Sequence, residues 1–379
     1  MSECLKSDSV PQRVWTEPVR GDYPDPAVVA LPGRERLEGW RRRTSPPPPL
    51  SHLTGAVPVR FGDGTAEAEM PASGWLASST GVISGGVLAI VADIAFGCSI
   101  ETRLPAATTY TTAELSMSFL RPARPGMTLA AHGQAIHVGR SVALSEVFVL
   151  DSKDERLIAH GTSRLSVFPP LPDPPEPPKH PPIYEPRDHG SPDPYERPAP
   201  DAIIPQTLWS ELSGAEILRR QLAGELPPPP LHHLTGLRLS EVAEGKATFA
   251  LPATEWLTSP ARRLQGGVIA MQADFAMLAA AETMAAPGVA IAGLDLKANF
   301  LRPVAPDGAD LTARAEVVHS GRTIAITRAE VTNAEGKPVL LATGSSMYLP
   351  GRPASLGEVE LSGREDSQPG PGGGAGPAQ

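Results

Sequence analysis

Two aspartates lie inside the most apolar stretches of this chain, where a carboxylate is costly unless something binds it. Asp93 lies within Val87–Cys98 and Asp274 within Val268–Met277. Neither has Lys or Arg three or four residues away, so its own helix supplies no counter-ion. Such a carboxylate is typical of a general base or nucleophile, and burial raises its pKa. The alternative is a structural carboxylate with a partner elsewhere in the fold.

A pair of glycines precedes each aspartate by the same distance. Gly85 and Gly266 stand eight residues before the carboxylate, at the start of the apolar segment. Unpaired amides at a helix N-terminus carry the positive end of the helix dipole, which can polarise a carbonyl group and stabilise an oxyanion. The structural alternative is that glycine permits a tight turn and close helix packing.

Both motifs belong to an internal repeat, in which matching residues recur 181 positions apart. His52-Leu53-Thr54-Gly55 recurs as His233-Leu234-Thr235-Gly236, and Phe119-Leu120-Arg121-Pro122 recurs as Phe300-Leu301-Arg302-Pro303. The repeat predicts two units of similar shape in tandem, and its long period excludes a short-repeat solenoid.

The hydrophobic pattern of each unit predicts a leading helix, two short strands, a long buried helix that begins at the double glycine, and four alternating strands. The leading helices are predicted around Ala27–Arg43 and Thr207–Leu222. The strands predicted after the buried helix are Thr111–Phe119, Thr128–Val138, Ala143–Leu150 and Arg156–Val167, then Ala290–Phe300, Asp310–His319, Thr323–Val331 and Pro338–Tyr348. This order predicts an α+β unit whose antiparallel sheet wraps the helix.

Proline marks the division between the units. Of the 37 residues from Pro169 to Pro205, 15 are proline, which is typical of a stiff, extended spacer. We predict a first unit over 27–168 and a second over 206–350, joined by a linker at 169–205. The segments 1–26 and 351–379 are predicted to be disordered.

Charge and composition exclude several classes of partner. The chain has 33 Lys+Arg against 42 Asp+Glu and a net charge of −9, which argues against nucleic-acid or polybasic membrane binding. Two cysteines are too few for a disulfide framework or a four-cysteine zinc site, and no metal is predicted. Without a secretory signal or an apolar run of about 18 residues, the expected location is the cytoplasm.

The double glycine, the aspartate eight residues on, the Phe-Leu-Arg-Pro strand end and the duplication together resemble the hotdog-fold thioesterase superfamily. The branch they resemble most is the phenylacetate-pathway type of acyl-CoA thioesterase. The resemblance implies hydrolysis of an acyl-CoA, with coenzyme A as part of the substrate and no further cofactor. It also implies that the two units pair within the chain, which we expect to occur sheet to sheet, with further dimerisation left open.

The resemblance also implies which residues form each site, because the family pairs the aspartate of one unit with the glycine loop of the other. One site would combine Asp93 and its helper Thr112 with Gln265-Gly266. The other would combine Asp274 with Ser84-Gly85, and it lacks the helper because Gly293 stands at the position of Thr112. The family usually has His where Ser84 and Gln265 stand. The first site is therefore expected to be more complete.

Further polar residues recur at matching positions. Ser78 and Ser259 precede the first glycine by seven residues, where each could orient the water molecule or simply cap a turn. Candidate contacts to the CoA phosphates, with solvated arginines as the alternative, are Arg121, Arg140, Arg302 and Arg322.

Two other functions remain open at this point. A hotdog enoyl-CoA hydratase pairs its aspartate with a histidine five residues on, but Cys98 and Ala279 stand there. A non-catalytic module that binds or senses acyl-CoA is compatible with the missing histidines. Turnover of an acyl-CoA would separate this module from a thioesterase.

Overall fold

The computed structural model describes residues 13–177, 179 and 181–355. Its helices are α1 (Gly33–Arg41), α2 (Pro49–Thr54), α3 (Gly85–Glu101), α4 (Gln206–Glu211), α5 (Gly214–Leu222), α6 (Pro230–Thr235) and α7 (Gly266–Glu282). Its strands are β1 (Val57–Phe61), β2 (Thr65–Pro71), β3 (Tyr110–Phe119), β4 (Thr128–Val138), β5 (Val142–Asp151), β6 (Leu157–Val167), β7 (Arg238–Ala243), β8 (Lys246–Pro252), β9 (Val289–Phe300), β10 (Asp310–Ser320), β11 (Ile324–Thr332) and β12 (Pro338–Pro350).

Each unit is a curved antiparallel sheet around one buried helix. Helix α3 packs against β2, β4 and β5, and α7 packs against β8, β10 and β11. Both helices are apolar on nearly every side, so each can be buried by its sheet on one flank and by the other helix on the opposite flank. The predicted α+β architecture of two tandem hotdog units is confirmed.

The two sheets join edge to edge. Strand β3 pairs with β9 in antiparallel register from Glu114 opposite Asn299 to Ser118 opposite Asp295. The result is one 12-stranded sheet in the order β1-β2-β4-β5-β6-β3-β9-β12-β11-β10-β8-β7. The expectation of sheet-to-sheet packing was wrong, because the central contact uses backbone hydrogen bonds at the sheet edges while α3 and α7 pack against each other.

The leading helices are interrupted rather than continuous. In the first unit, Pro26–Ala30 forms a 3₁₀ turn and α1 begins only after Pro32, which cannot donate a backbone hydrogen bond. In the second unit, α4 ends at Glu211 and Ser213 caps α5 by accepting from the Glu216 amide. The prediction of one continuous leading helix in each unit was wrong.

Two segments that lead into the units cross over to the opposite unit. We name residues 13–31 strap 1 and residues 191–205 strap 2. The indole Nε1 of Trp256, in the second unit, donates to the Glu17 carbonyl of strap 1 at 3.1 Å. The indole Nε1 of Trp75, in the first unit, donates to the Arg197 carbonyl of strap 2 at 2.9 Å. The two straps therefore make equivalent contacts, and each binds the unit that it does not lead into.

The predicted disorder of 1–26 was wrong for residues 13–26, which are ordered as part of strap 1. Residues 1–12 lie outside the described residues. At the other end, the amides of Ala354 and Ser355 donate to Gln206 Oε1 at 2.8 Å. The rest of the predicted disordered tail, 356–379, lies outside the described residues. The unit boundaries themselves stay a prediction.

The straps bind each other as well as the units. Arg197 Nη1 donates to both carboxylate oxygens of Glu17 at 2.9 and 2.8 Å. Arg20 donates to Asp193 Oδ1 at 3.0 Å, and the other oxygen of Asp193 contacts His52 Nδ1 at 2.8 Å. The latter half of the proline-rich segment is thus anchored to strap 1 and to the first unit, in addition to linking the two units.

Cleavage of the linker should leave the two units associated. A protease cut after Arg187, which is exposed and precedes strap 2, breaks the covalent link but leaves the β3–β9 pairing and both straps intact. We expect the nicked protein to migrate as one species in native size-exclusion chromatography and as two fragments after denaturation. Two separately eluting folded halves would contradict this arrangement.

Candidate active site

The carboxylate of Asp93 bridges the two units. It lies about two turns into α3 and is 9% exposed. Its Oδ1 accepts from Thr112 Oγ1 on β3 at 2.9 Å, and its Oδ2 accepts from the Gly267 amide of the second unit at 3.2 Å. The predicted cross-unit grouping of Asp93, Thr112 and the second glycine loop is thus present in the structure.

Asp274 makes the corresponding contacts from the second unit. It is 6% exposed, and its Oδ2 accepts from the Gly86 amide at 2.8 Å and from Ser84 Oγ at 2.9 Å. Ser84 therefore supplies a hydroxyl from the opposite unit, whereas Asp93 receives its hydroxyl from Thr112 of the same unit. The two carboxylates are bound by similar but not identical donors.

The glycines that donate most directly are the second ones of each pair. A Cβ atom on Gly86 would lie 2.6 Å from Asp274 Cβ, and one on Gly267 would lie 2.3 Å from the Ala89 carbonyl oxygen. A side chain at either position would thus force the two units apart. Sequence reasoning selected the first glycines and missed Gly86 and Gly267, although the doubling of the glycine was the available signal.

Neither first-glycine amide, that of Gly85 or that of Gly266, donates a hydrogen bond within the part of the chain that the structure describes. The Gly266 amide, together with that of Gly267, stabilises the charged form of Asp93. Gly85 starts α3, so its amide lies at the positive end of the helix dipole and can donate to a ligand.

Gln265 closes the first site at the junction. Its Nε2 donates to the Ile90 carbonyl of the opposite unit at 2.8 Å, which fixes its Oε1 as an acceptor. That Oε1 is buried and has no protein donor among the described residues. The amide thus occupies the position where the family has histidine, with one acceptor left for a water molecule or a ligand.

Burial dominates the protonation of both carboxylates. Desolvation raises the pKa of Asp93, although the hydrogen bond from Thr112 and the two glycine amides oppose this rise. Desolvation raises the pKa of Asp274 to about 6 against the opposing bonds from Gly86 and Ser84, and the nearby charge of Asp295 adds to the rise. Asp295 was not among the predicted residues.

A bulge in each central strand sets the helper position. In β3 the register shifts between Thr112 and Glu114, and in β9, opposite β12, it shifts between Gly293 and Asp295. The bulge turns the Thr112 side chain towards Asp93. At the equivalent point of the second unit, Gly293 offers no hydroxyl to Asp274, as predicted from the sequence.

The other predicted residues lie outside these two clusters of contacts. Ser78 Oγ contacts Thr80 Oγ1 at 2.9 Å, and Ser259 Oγ donates to the Arg263 carbonyl at 3.2 Å, so each serine caps its turn. The four candidate arginines are exposed at strand ends or in turns: Arg121, Arg140, Arg302 and Arg322. Arg121 donates to the Leu157 carbonyl at 2.7 Å, and Arg302 to the Pro338 carbonyl. A role for any of them in binding CoA stays a prediction.

The residues that the structure describes contain neither a helix suited to a membrane nor a cluster of metal-ligating side chains. Over these residues no helix has the length and apolarity needed to cross a bilayer. Within the same ranges no group of three or more His, Cys, Asp or Glu side chains is arranged to hold a metal ion.

Comparison with known proteins finds one family whose sequence model matches part of each unit. The sequence model of the Thioesterase superfamily matches residues 80–158 and 263–340, one segment in each unit. Among characterised proteins, the 1,4-dihydroxy-2-naphthoyl-CoA hydrolase of Listeria monocytogenes is 29% identical over 103 residues, which are 27% of this chain and 82% of that protein. That match has the length of a single unit.

Solved structures resemble this chain over most of its length. The tesB protein of Mycobacterium avium subs paratuberculosis is 14% identical, with a TM-score of 0.50, over 80% of this chain and 98% of that one. An acyl-CoA thioesterase II from Mycobacterium marinum is 13% identical, with a TM-score of 0.46, over 79% of this chain and 97% of that one. The Thioesterase superfamily model thus matches one segment in each of the two hotdog units, which makes a thioester hydrolase the class of enzyme that this chain is similar to.

Proposed function

We propose that the protein hydrolyses acyl-CoA thioesters at two sites, each formed where the aspartate of one unit meets the glycine loop of the other. The observation that carries this proposal is the placement of each buried carboxylate against the amides at the N-terminus of the opposite buried helix. A base or nucleophile and an oxyanion donor are the two groups that thioester hydrolysis requires. The named activity of the Listeria relative, hydrolysis of a CoA thioester, supports the same reaction class.

In the proposed reaction, the thioester carbonyl oxygen accepts from the first glycine amide, Gly266 at the Asp93 site or Gly85 at the Asp274 site. The aspartate takes a proton from water as the water oxygen attacks the carbonyl carbon, or attacks that carbon itself and is then released by water. The carbon–sulfur bond breaks, the proton passes to the CoA sulfur, and the acid and free thiol leave. Attack raises the charge on the carbonyl oxygen, so the amide stabilises the transition state more than the substrate.

The two sites are proposed to differ in rate. Thr112 donates to Asp93 from the strand after the buried helix, whereas Gly293 stands at the equivalent position beside Asp274, which supports the Asp93 site as the faster one. The open Gly85 amide supports retained chemistry at the Asp274 site. The phenylacetate-type branch, a cytoplasmic location and the acyl-chain preference belong to the proposal.

Replacing each aspartate by asparagine tests the proposal. Asparagine keeps the shape and accepts the same amides but cannot act as a base, so Asp93→Asn should lose about 10²–10⁴-fold in kcat. We expect a smaller loss from Asp274→Asn, measured as release of free thiol over a panel of acyl-CoA substrates. Asp151→Asn, at a buried carboxylate that accepts from the Lys153 amide, is the matched control and should keep its activity.

Unchanged kcat in Asp93→Asn would reject this aspartate as the base or nucleophile, and a larger loss from Asp274→Asn would reverse the ranking of the sites. If every substrate binds and none turns over in the wild type, the protein is a binding or sensing module.

The helper hydroxyl can be moved between sites. A Cβ atom at Gly293 would meet the Phe119 ring at an ordinary 3.8 Å, so Gly293→Thr is sterically possible. A hydroxyl that donates to a carboxylate favours its charged form, and one such bond is worth about one pKa unit. In the Asp93→Asn background, Gly293→Thr should therefore move the acidic limb of the rate profile to lower pH by about one unit.

The reciprocal variant, Thr112→Val in the Asp274→Asn background, should move the acidic limb of the remaining site to higher pH. If the acidic limbs of these two variants shift in the same direction along the pH axis, or do not shift, the assigned role of the hydroxyl is contradicted.

The raised pKa of Asp274 also predicts how stability changes with pH. Between its ordinary value of 3.8 and about 6, the native state binds a proton that the unfolded chain has already lost, so stability falls as pH rises through this window. Above it, the ionised buried carboxylate costs on the order of 3 kcal/mol. Asp274→Asn should therefore unfold at higher urea concentration than the wild type near pH 8, and this gain should shrink at about pH 4.

Asp63→Asn is the control of opposite sign, because Arg103 lowers the pKa of this exposed carboxylate and the variant should gain no stability at neutral pH. A wild type as stable as Asp274→Asn near pH 8 would show that Asp274 is not held in a costly ionised state.

A further inference from the structure

A small cavity in the second unit lies where the first unit has an ion pair. In the first unit, Arg36 Nε donates to Glu101 Oε1 at 2.7 Å, and its Nη1 and Nη2 donate to the Leu31 and Thr108 carbonyls at 2.9 and 3.0 Å. The second unit keeps the carboxylate as Glu282 but has Ile217 at the position of Arg36. The guanidinium is thus missing and its carboxylate partner remains.

The equivalence of these positions rests on backbone contacts as well as on the repeat. The Gly33 amide donates to the Leu104 carbonyl at 3.0 Å, and the Gly214 amide donates to the Ala285 carbonyl at 3.1 Å. Both helices, α1 and α5, therefore begin against the end of the buried helix in the same way. Arg36 and Ile217 each follow these glycines by three residues.

The cavity has a volume of about 20 Å³, enough for one water-sized oxygen, for which about 10–15 Å³ suffices. Glu282, Trp209 and Thr80 supply its polar groups, and the apolar part of its lining includes Leu212, Val289 and Ile291. No ion pair or hydrogen bond to the Glu282 side chain occurs among the described residues, and burial raises the pKa of this carboxyl.

Trp209 gives the second, independent observation. The side chain is 7% exposed, and its Nε1–H is buried with no acceptor among the described residues. An indole N–H can only donate, and a carboxylate can only accept. An occupant that satisfies both groups must accept one hydrogen bond and donate another. A hydroxyl group does this, as does a water molecule that such a hydroxyl would displace, whereas a metal cation or an ammonium group cannot accept from the indole.

The elements around this cavity are the ones that form the Asp274 site. Glu282 lies eight residues beyond Asp274 on α7, or about 12 Å along the helix axis. Val289 lies four residues before Gly293 on β9, or about 13 Å along the strand. Thr80 belongs to the first-unit loop that leads to Ser84 and Gly85. Helix, strand and loop thus run from the reacting carboxylate to the cavity over a similar distance.

We propose that this cavity is a subsite of the Asp274 site that receives the terminal hydroxyl of a medium-length acyl group. The proposal rests on the proposed thioesterase function. The hydroxyl donates to Glu282 and accepts from Trp209 Nε1–H, and the methylene chain lies between α7 and β9. In the first unit, the Arg36 guanidinium fills the equivalent place and Tyr110 stands at the position of Ile291, so the Asp93 site takes acyl groups without this hydroxyl.

The experiment compares decanoyl-CoA with ω-hydroxydecanoyl-CoA in the full-length protein. The Asp93→Asn variant reports the Asp274 site, and the Asp274→Asn variant reports the Asp93 site. The ratio of kcat/KM for the hydroxylated over the plain substrate should be about tenfold higher in Asp93→Asn, the worth of one well-placed hydrogen bond. Equal ratios in the two variants would overturn the proposal while leaving the thioesterase function intact.

Three variants at the cavity sharpen this test. Ile217→Arg restores the guanidinium of the first unit, so in the Asp93→Asn background it should abolish the preference while decanoyl-CoA is still hydrolysed. Ile217→Leu changes shape without adding a donor and should keep the preference. Trp209→Phe removes the N–H donor, together with part of the ring, and should reduce the preference, which keeps the proposal testable if Ile217→Arg does not fold. A preference unaffected by Ile217→Arg or Trp209→Phe would overturn it.

Binding provides a readout that does not need catalysis. In the Asp93→Asn/Asp274→Asn double variant, ω-hydroxydecanoyl-CoA should bind about tenfold more tightly than decanoyl-CoA and should change the fluorescence of Trp209. The fluorescence change should be absent when Trp209→Phe is added. If the wild type hydrolyses neither substrate, the proposed function fails, and this binding difference still decides whether the subsite exists.

Discussion

The hydrogen bond from a glycine amide of one unit to the aspartate of the other is the interaction on which this structure depends. Asp93 and Asp274 lie in helices that are otherwise apolar, so each needs donors that its own helix cannot provide. Gly267 and Gly86 provide them across the junction, and only residues without a side chain permit that approach. Burial of the carboxylates is therefore compatible with stability only while the two units are paired.

The same requirement explains the other contacts between the units. The β3–β9 pairing fixes the relative height of the units, and the packing of α3 on α7 brings each carboxylate to the opposite loop. Strap 1 reaches the second glycine loop through Tyr23, whose hydroxyl contacts Thr258 Oγ1 at 2.8 Å. Strap 2 reaches the first loop through the Ile204 amide, which donates to the Ser79 carbonyl at 2.9 Å. Each loop that carries a glycine pair is thus held by the strap of the opposite repeat.

The sequence allowed the carboxylates, the glycine loops and the helper hydroxyl to be predicted, because their cost or chemistry is local. A carboxylate such as Asp93 in an apolar helix stands out without knowledge of the fold. The edge-to-edge junction could not be derived in this way, since β3 and β9 have the same alternating pattern as other strands and their pairing depends on the shapes of both units. The crossing of the straps was also missed, because Trp15 and Glu17 lie in a segment whose order comes from tertiary contacts rather than from periodicity.

A single tandem chain can have different residues at equivalent positions of its two units, whereas two identical chains must have the same residue at both. Near the axis that relates two identical units, a residue meets its own copy, so a charged residue there faces a like charge. In this chain, Glu17 and Arg197 occupy equivalent places in the two straps and form a bidentate ion pair that is largely shielded from solvent, with 26% and 12% of the side chains exposed. In the β3–β9 ladder, Ser116 likewise lies opposite Lys297 rather than opposite a second lysine.

These asymmetric contacts favour one arrangement of the two units over its exchanged alternative, which fixes which strap binds which unit. The same freedom extends to the candidate active sites. Thr112 donates to Asp93 and Ser84 donates to Asp274, while Gly293 and Gln265 at the equivalent positions do not donate to a carboxylate of the described part of the chain. Identical chains would have to keep both sites the same. Duplication within one chain therefore keeps a carboxylate bound across the junction in both units, while it allows the residues around each carboxylate to differ.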